Sequence, residues 1–347
     1  MTATPLEAAF TRARATLDLG VEVAGDYGDP AGEYLALRQR AGMVDRCARG
    51  AVLVTGLDAP RFLQGLLSQE VAGLADGEGR HCLLLSPQGK LDVDLRLLRV
   101  GDDCWLDCEI GYGSRLANSL DRFRIRVRAE LADRSASFGV LSVKGPQAHE
   151  RVAEAAGGVR IGDDPHSHAA WGALRLVRAD WPEVPGVDLV GPIDELAGAW
   201  ESLEARGVTP VGLDAYESVR VEAGIPRHGR DLDESTIPQE AFLERDAVSF
   251  TKGCFLGQEL VCRIDSRGHV NRFLRGLRLA GTVCPPEGTA VFRGSKQVGS
   301  VTSVAPLADP PLVLGFIRRE VSPGEEAVLT WSGQEVSAVI IELPVPA

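Results

Sequence analysis

The sequence lacks the features that mark membrane, secreted and disulfide-stabilised proteins. No run in its 347 residues approaches the roughly 18 apolar residues that span a bilayer. The segment from Met1 to Leu19 carries Glu7 and Asp18 among its arginines and has no continuous apolar stretch, which argues against a signal peptide. The seven cysteines are odd in number and include no Cys-x-x-Cys pair. We therefore expect a soluble cytoplasmic protein with reduced thiols.

Signals for phosphate and metal binding are also missing or weak. The stretch Gly89–Leu91 ends in leucine, where a phosphate-binding P-loop needs Ser or Thr. No His-Glu-x-x-His motif occurs, and the pairs His166/His168 and Cys104/Cys108 each offer only two candidate ligands. The formal net charge of −12 argues against broad nucleic-acid binding. We expect no metal site and no DNA partner.

Two stretches of the chain mix strand and helix signals in an α+β order. In the first, strands are expected at 51–56, 81–85, 91–100 and 104–110, with helices at 58–69 and 114–123. In the second, strands are expected at 138–143, 173–178 and 187–190, with helices at 146–156, 194–206 and 214–223. The irregular order favours α+β units over a doubly wound sheet. The sequence thus predicts two related units, 1–135 and 136–270.

The last part of the chain has a different pattern. Short strands punctuated by glycine and proline are expected at 273–279, 289–292, 297–304, 313–318, 326–331 and 334–342. Six short strands with almost no helical periodicity are typical of a small β-barrel. The sequence therefore predicts a third domain, 271–347.

The stretch Lys252–Glu259 combines a lysine, a thiol, an aromatic ring and two glycines just before a predicted helix. The positive end of the helix dipole and the Lys252 charge both favour the thiolate form of Cys254. The glycines allow backbone conformations in which a ligand or partner approaches closely. We predict a reactive or ligand-facing Cys254, and the alternative is a buried structural thiol.

The predicted helix 214–223 carries a second candidate group. Asp214 is expected to cap it and to form a capping box with Glu217. Glu222 then lies on the apolar side of the helix, whereas Arg220 lies about 200° round from it. A carboxylate on an apolar face must find a donor or become neutral. Glu222 is thus a candidate ligand-binding group, and structural pairing is the alternative.

Charged side chains recur at every second position in two predicted strands. Period two places Asp92 and Asp94 on one strand face, where they would hold an amine-bearing ligand or simply face solvent. The same period would give one wholly basic face to a strand containing Arg122, Arg124, Arg126 and Arg128. That face is either an exposed sheet surface or a contact for an anionic partner such as RNA or a polyglutamate tail.

These motifs resemble the YgfZ family of folate-binding proteins, which are relatives of the glycine-cleavage T-protein (aminomethyltransferase). The resemblance is carried by Lys252–Glu259 and is supported by Arg267–Arg272, Arg220–Pro226, Ile237–Gln239, Gly89–Leu95 and Val298–Ser303. It extends over most of the chain from Gly32 onwards. It implies two ferredoxin-like α+β units of the T-protein/YgfZ type plus a small C-terminal β-barrel, arranged around a central folate site.

The resemblance also implies roles for individual residues. Asp94 falls where T-proteins carry their catalytic aspartate, and Glu222 lies in the Glu-Ala-Gly motif of the folate site. The other residues expected at a bound tetrahydrofolate, or another folate, are Arg220, Lys252 and Trp181, with Cys254 as a catalytic or functional thiol at the rim. The stretch Asp180–Gly186 lacks the Gly-Tyr-Thr-Gly-Glu order of the T-protein pterin pocket, which weighs against aminomethyl transfer.

The function implied is a folate-binding accessory factor that supports assembly or repair of iron–sulfur enzymes, including those that modify tRNA. Such a factor would act without catalysing a reaction of its own. Its expected partners are iron–sulfur client or assembly proteins, and tRNA is a further candidate. The alternative is a tetrahydrofolate-dependent aminomethyl or one-carbon transferase of the T-protein type, motivated by Asp94 on its strand.

Overall fold

The computed structural model describes Leu6 and residues 10–344. The first elements in it are β1 (Arg14–Asp18), β2 (Val21–Asp26), α1 (Pro30–Gln39) and β3 (Gly42–Asp45). The start of α1 is fixed by Pro30 in its first turn and by Asp29, which accepts a hydrogen bond from the Gly32 backbone at 3.0 Å. The strands β1 and β2 form a separate antiparallel hairpin.

The first large sheet has five strands in the order β5-β6-β7-β4-β8. They are β4 (Gly50–Thr55), β5 (Gly79–Leu85), β6 (Leu91–Val100), β7 (Asp103–Cys108) and β8 (Glu130–Asp133). The helices α2 (Ala59–Gln64) and α3 (Gly113–Asp121) share an apolar core with one face of this sheet. Because Val93, Leu95 and Leu97 of β6 enter that core, Asp94 and Arg96 lie on the opposite face.

The second large sheet has six strands in the order β10-β11-β12-β9-β3-β13. Its further members are β9 (Phe138–Lys144), β10 (His168–Trp171), β11 (Leu174–Arg178), β12 (Gly186–Pro192) and β13 (Thr209–Pro210). The helices α4 (Ala148–Ala155) and α5 (Ile193–Glu204) bury their apolar faces on it. The strand β3 reaches this sheet from a position in the chain before the first large sheet and pairs with both β9 and β13.

The helix α6 (Leu213–Glu222) lies at the centre of the molecule. It packs against α1, β2 and two barrel strands, and most of its side chains are buried. It is followed by a 3-10 turn (Pro238–Glu240), α7 (Glu244–Ala247) and α8 (Gln258–Arg267). Residues of α6 and of the segment after it therefore contact several parts of the fold at once.

The C-terminal part is a closed barrel in the order β14-β17-β16-β15-β18-β19. The strands are β14 (Arg272–Leu279), β15 (Ala290–Arg293), β16 (Lys296–Ala305), β17 (Leu312–Arg318), β18 (Glu326–Trp331) and β19 (Gln334–Ile341). All six expected strands are present, so the predicted fold class, α+β layers with a small C-terminal barrel, is confirmed. The domain divisions near residues 135 and 270 stay predictions.

The strand with a basic face and the length of the helix expected at 58–69 were predicted wrongly. Residues 122–129 contain no strand, and Arg126 has a positive φ of 57° that breaks any extended run. Arg124 instead binds Asp121 at 2.7 Å and Arg128 binds Asp58 at 3.2 Å, so no common basic face forms. The helix expected at 58–69 ends at Gln64. Asp58 is its N-cap residue, but the Asp58 side chain makes no capping hydrogen bond and accepts from Arg128 instead.

The expected capping box of α6 is also absent. Gly212 is the N-cap of this helix. The Asp214 carboxylate binds Arg14 at 2.6 Å, and Glu217 binds Arg220 at 2.8 Å. Both acids are thus taken by arginines: Arg14 ties the N-terminal hairpin to α6, whereas the Glu217–Arg220 pair lies within the helix.

Candidate functional site

A cavity of about 950 Å³ is lined by residues of both large sheets, of α6 and of the loops that follow it. Ligand pockets in proteins typically measure roughly 300–1,000 Å³. Nine arginine or lysine side chains and nine aspartate or glutamate side chains line it. With this equal mixture of charges, the cavity is suited to a polar ligand that carries both donors and anionic groups.

Asp94 faces this cavity from β6 and is paired with His81 of β5. His81 Nε2 lies 2.5 Å from Asp94 Oδ1, and the two side chains are 27% and 21% exposed. Burial by itself raises the pKa of Asp94, but the charge and hydrogen bond of His81 outweigh burial and lower it. Burial likewise lowers the pKa of His81, and Asp94 reverses this and raises it. The pair therefore favours a carboxylate beside an imidazolium.

Two further histidines that line the cavity are held neutral. The Asp94 backbone N–H donates to His228 Nδ1 at 3.4 Å, and the His228 ring stacks on Tyr112 with centroids 3.8 Å apart. Burial lowers the pKa of His228, and it lowers that of His166 to about 3. Within the described residues, no group of His, Cys, Asp and Glu is arranged to hold a metal ion.

Buried ion pairs fix the positions of the side chains on the first-sheet side of the cavity. Arg46 donates to both oxygens of Glu109, at 2.9 and 2.8 Å, and Arg49 binds Asp107 at 2.7 Å. Burial opposes ionisation of Glu109, yet Arg227, Arg46 and Arg49 together hold its pKa well below its ordinary value. These charges are therefore preorganised before any ligand arrives.

The second sheet contributes a carboxylate, a lysine and an aromatic ring. Asp188 accepts hydrogen bonds from Arg96 and from the Ser142 hydroxyl, each at 2.8 Å. Burial would raise the pKa of Asp188, but Lys144 and Arg96 keep it below its ordinary range. The Lys144 ammonium donates to a backbone carbonyl and lies 4.4 Å from the centre of the Trp181 ring. Burial lowers the pKa of Lys144 to about 8.

Arg220 lines the cavity, but its donors are already used. Its guanidinium binds both oxygens of Glu217, at 3.0 and 2.8 Å, Asp231 at 2.8 Å and the Ser303 hydroxyl at 2.7 Å. The remaining N–H donates to the Ile225 carbonyl at 2.5 Å. All five donors of the side chain are thus taken, and Arg220 joins α6 to the barrel strand β16.

Glu222, expected to contact a folate, is not among the residues that line the cavity. Tyr34 of α1 donates its hydroxyl to Glu222, with both carboxylate oxygens at 2.9 Å. Burial raises the pKa of this half-buried carboxylate. The structure therefore places Glu222 at the contact between α1 and α6.

Lys252 and Cys254 also lie outside the cavity lining. The Lys252 ammonium donates to the carbonyls of Gln64, Leu67 and Gln69 at 2.7, 2.7 and 2.8 Å, and burial lowers its pKa to about 8. Cys254 is exposed to solvent. The lysine thus ties the motif to the end of α2, and the structure does not bring the thiol to the cavity with Asp94 and Trp181.

Two arginines of the cavity lining have no carboxylate within ion-pair distance among the residues that the structure describes. Arg80 donates to the neighbouring Gly79 carbonyl at 2.7 Å. Arg245 lies 4.3 Å from the centre of the Phe242 ring, which also lines the cavity. Both charges are therefore available to an anionic ligand.

Of the residues that line the cavity, Asp94 and Trp181 were predicted from the sequence, whereas His81, Lys144 and Asp188 were not. His81 could have been found from the predicted hairpin of β5 and β6. In that hairpin His81 lies opposite Arg96, which is two residues from Asp94, and all three side chains share one face. Lys144 and Asp188 come from strands far apart in the chain, and no local motif marks either residue.

Nearly the whole chain is similar to proteins of one family. The family model described as the GCVT N-terminal domain matches residues 12–252. An aminomethyltransferase of Bordetella bronchiseptica is 30% identical over 352 residues, covering 92% of this chain and 88% of that protein. An aminomethyltransferase of Thermosynechococcus vestitus is 28% identical over 350 residues, covering 98% and 94%. The chain belongs to the GCVT N-terminal domain family and is thus a relative of the glycine-cleavage T-protein.

A solved structure supports the same assignment of the fold. The glycine cleavage system aminomethyltransferase T of Bartonella henselae superposes with a TM-score of 0.88 at 24% identity, covering 98% of this chain and 95% of that one. This similarity extends over both sheets and the barrel. At that level of identity it shows a shared fold.

These findings correct the functional prediction. The expected role as an accessory factor for iron–sulfur enzymes is wrong, because the relatives that match nearly the whole chain are aminomethyltransferases. Membership of the YgfZ branch is not confirmed. None of the described helices is both long and apolar enough to cross a membrane. The expected protein and tRNA partners and the cytoplasmic location stay predictions.

Proposed function

We propose that this chain is a tetrahydrofolate-dependent aminomethyl (one-carbon) transferase. The observation that carries the proposal is the Asp94 carboxylate, kept ionised by His81 and partly exposed in a cavity of about 950 Å³. Similarity to aminomethyltransferases over more than nine tenths of the chain supports the same reaction class.

The residues that line the cavity fit a folate. The pyrimidine ring of a reduced pterin is flat and carries N–H donors along its edge, which suits the Trp181 ring and the Asp188 carboxylate. The anionic glutamate of a folate suits Arg80 and Arg245, whose charges have no carboxylate partner among the described residues. When bound, tetrahydrofolate would supply the amine nitrogens that accept the one-carbon unit.

The chain's own residues would position the reacting groups and handle protons. Because its pKa is lowered, Asp94 remains a carboxylate at neutral pH and can accept a hydrogen bond from an amine in the cavity. The buried pairs Arg46–Glu109 and Arg49–Asp107 hold the surrounding charges in place, so that little reorganisation accompanies the reaction.

Binding gives the first test. Tetrahydrofolate should quench the fluorescence of Trp181, and Asp94→Asn should weaken binding at least about tenfold, because a charge-assisted hydrogen bond is lost. Asp92→Asn is the matched control: Asp92 lies on the same strand, is absent from the cavity lining and pairs with Arg115 at 2.7 Å. Its affinity should stay within about twofold of the wild type. Failure of the wild-type protein to bind tetrahydrofolate would refute the proposal.

Turnover gives the second test. The probe is a synthetic S-aminomethyl thioether, R–S–CH₂–NH₂, which with tetrahydrofolate should give methylene-tetrahydrofolate, ammonia and the thiol in equal amounts. Asp94→Asn should reduce kcat about 100-fold. Cys254→Ser should turn over like the wild type, because Cys254 is exposed and does not line the cavity. Dependence on Cys254 but not on Asp94 would contradict the proposed site.

A further inference from the structure

We propose that His81 is a second catalytic residue of this site, acting with Asp94 as a proton-transfer pair. The inference rests on the proposed function and adds an acid–base group to it. In this pair Asp94 orients the imidazole through Nε2, and Nδ1 exchanges protons with the reacting amines.

The geometry distinguishes His81 from the other histidines of the cavity. Its Nε2 is held by Asp94 at 2.5 Å, which fixes the ring orientation and leaves Nδ1 with no partner among the described residues. The His81 side chain is 27% exposed in the cavity, whereas His228 is almost completely buried. Polar atoms of the rings of His166 and His228 are buried without partners, so substrate cannot reach those atoms. His81 is thus the accessible imidazole beside Asp94.

The charges around His81 allow it to change protonation state during turnover. From β6 His81 faces Asp94 and Arg96, and from α7 it faces Asp246. The centres of the His81 and His166 rings are 6.4 Å apart. Asp94 itself also faces His228 and Arg49. Burial and Arg96 disfavour the imidazolium, and the two aspartates favour it more strongly, so the pKa of His81 is raised. A histidine whose pKa is raised in this way is suited to both donate and accept protons during turnover.

The proton balance of the reaction needs such a group. Two N–H bonds of the accepting folate break as two bonds from nitrogen to the transferred carbon form. The carbon–sulfur and carbon–nitrogen bonds of R–S–CH₂–NH₂ break, and the thiolate and the departing amine each gain one proton. His81 Nδ1 gives a proton to the departing amine and takes one from the accepting amine, so the pair returns to its starting state and no oxidant or reductant is consumed.

The test is the substitution His81→Gln, assayed with R–S–CH₂–NH₂ and tetrahydrofolate. Glutamine keeps an N–H donor about where Nε2 lies but has no titratable nitrogen in place of Nδ1. We expect kcat to fall about 100-fold, with KM for tetrahydrofolate within about threefold of the wild type. His269→Gln removes an exposed histidine beyond α8 and should change neither constant.

The pH profile separates catalysis from a structural effect. The wild-type kcat should depend on one ionisation whose pKa is raised from the ordinary histidine value, and His81→Gln should lack this ionisation. In Asp94→Asn, the NMR titration of His81 should move to lower pH, because the favourable carboxylate is gone. His81→Ala, which lacks both ring nitrogens, should regain part of its rate when free imidazole is added.

The outcomes are distinguishable. An active wild-type enzyme alongside a fully active His81→Gln with an unchanged pH profile would overturn the proton-transfer pair and leave the proposed function intact. A reduced kcat with the wild-type ionisation retained would also overturn it. A wild-type protein that binds folate but never turns over the donor would refute both.

Discussion

At the scale of single residues, four positively charged side chains fall into two groups. Two of them bind only protein oxygens, and the other two are available to an anionic ligand. Arg220 and Lys252 have every donor bonded to protein oxygens. Arg80 and Arg245 have no carboxylate within ion-pair distance among the described residues. In the sequence these four positive charges look alike. Only the folded structure shows that Arg80 and Arg245 are the pair that can bind an anion.

The structural role of Lys252 can be measured as stability. Lys252→Met should lower the free energy of unfolding by about 2–3 kcal/mol, because three half-buried carbonyls lose a charged donor. Urea denaturation measures the change. Cys254→Ser, two residues away and exposed, should stay within about 0.5 kcal/mol of the wild type. Equal midpoints for Lys252→Met and the wild type would show that the three hydrogen bonds contribute nothing.

At the scale of elements, the two glycines of the Lys252–Glu259 motif have different reasons to be there. Gly257 is the N-cap of α8, with a φ of 77°, and a Cβ there would lie 2.3 Å from the Ser86 carbonyl. The Gly257 backbone lies close to the turn between β5 and β6, and α8 can therefore pack directly on that hairpin. Gly253 has open space around it. The requirement for glycine at position 257 is therefore a packing requirement.

Alanine at each glycine separates these cases. Gly257→Ala should destabilise the protein by about 2–3 kcal/mol, because it adds a left-handed non-glycine residue and a steric clash. Gly253→Ala should change stability by less than about 0.5 kcal/mol. Thermal unfolding of both variants, followed by circular dichroism, provides the measurement. The packing explanation fails if both substitutions cost the same.

Strands were predicted correctly where the sequence pattern indicates a strand and the fold supplies neighbouring strands to pair with it. The six barrel strands were readable because glycine and proline punctuate short apolar runs, and each strand has two partners in the closed barrel. The alternation from Arg122 to Arg128 is equally regular but has no neighbouring strand to pair with, and its arginines bind Asp121 and Asp58. Alternation alone does not make a strand, since unpaired backbone groups gain nothing from extension.

At the scale of the whole molecule, buried charges join parts that are distant in the chain. Arg227 binds Asp18 of the N-terminal hairpin, Glu109 beyond β7 at 2.9 Å and Glu217 of α6 at 3.3 Å. Arg220 continues this network to the barrel through Ser303. Removing one partner would leave an uncompensated buried charge, which costs more than the pair itself contributes.

Acid should therefore unfold the protein through this network. Arg220 and Arg227 outweigh burial and lower the pKa of Glu217 to about 2, from an ordinary value of 4.5. A lowered carboxylate pKa gives stability that is complete above pH 4.5 and is lost as the pH falls towards 2, about 3 kcal/mol for one such group. Urea midpoints between pH 2 and 7 should show this loss, and Glu217→Gln should reduce the slope. An identical slope in that variant would remove Glu217 from the explanation.

The whole site could be only partly predicted from the sequence. Period two made Asp94 a candidate by placing it with Asp92 on one strand face, and the resemblance to T-proteins singled it out as the functional residue. The cavity also uses Lys144 of β9, Asp188 of β12 and Arg227 beyond α6. Lys144 and Asp188 lie on paired strands of the second sheet and share a cavity with Asp94 only because the two sheets face each other, an arrangement that no spacing within the chain encodes.

Because β3 pairs with β9, the strand β3 must wait for its partner during synthesis. Val44 pairs with Ser142, so on the ribosome β3 is made roughly a hundred residues before its neighbour, a delay of roughly 5–20 s at ordinary elongation rates. The first large sheet, whose last strand ends at Asp133, can be complete while this apolar strand still lacks a partner. Until β9 emerges, Met43 and Val44 are open to wrong partners, and a chaperone that shields β3 would raise the yield of native protein.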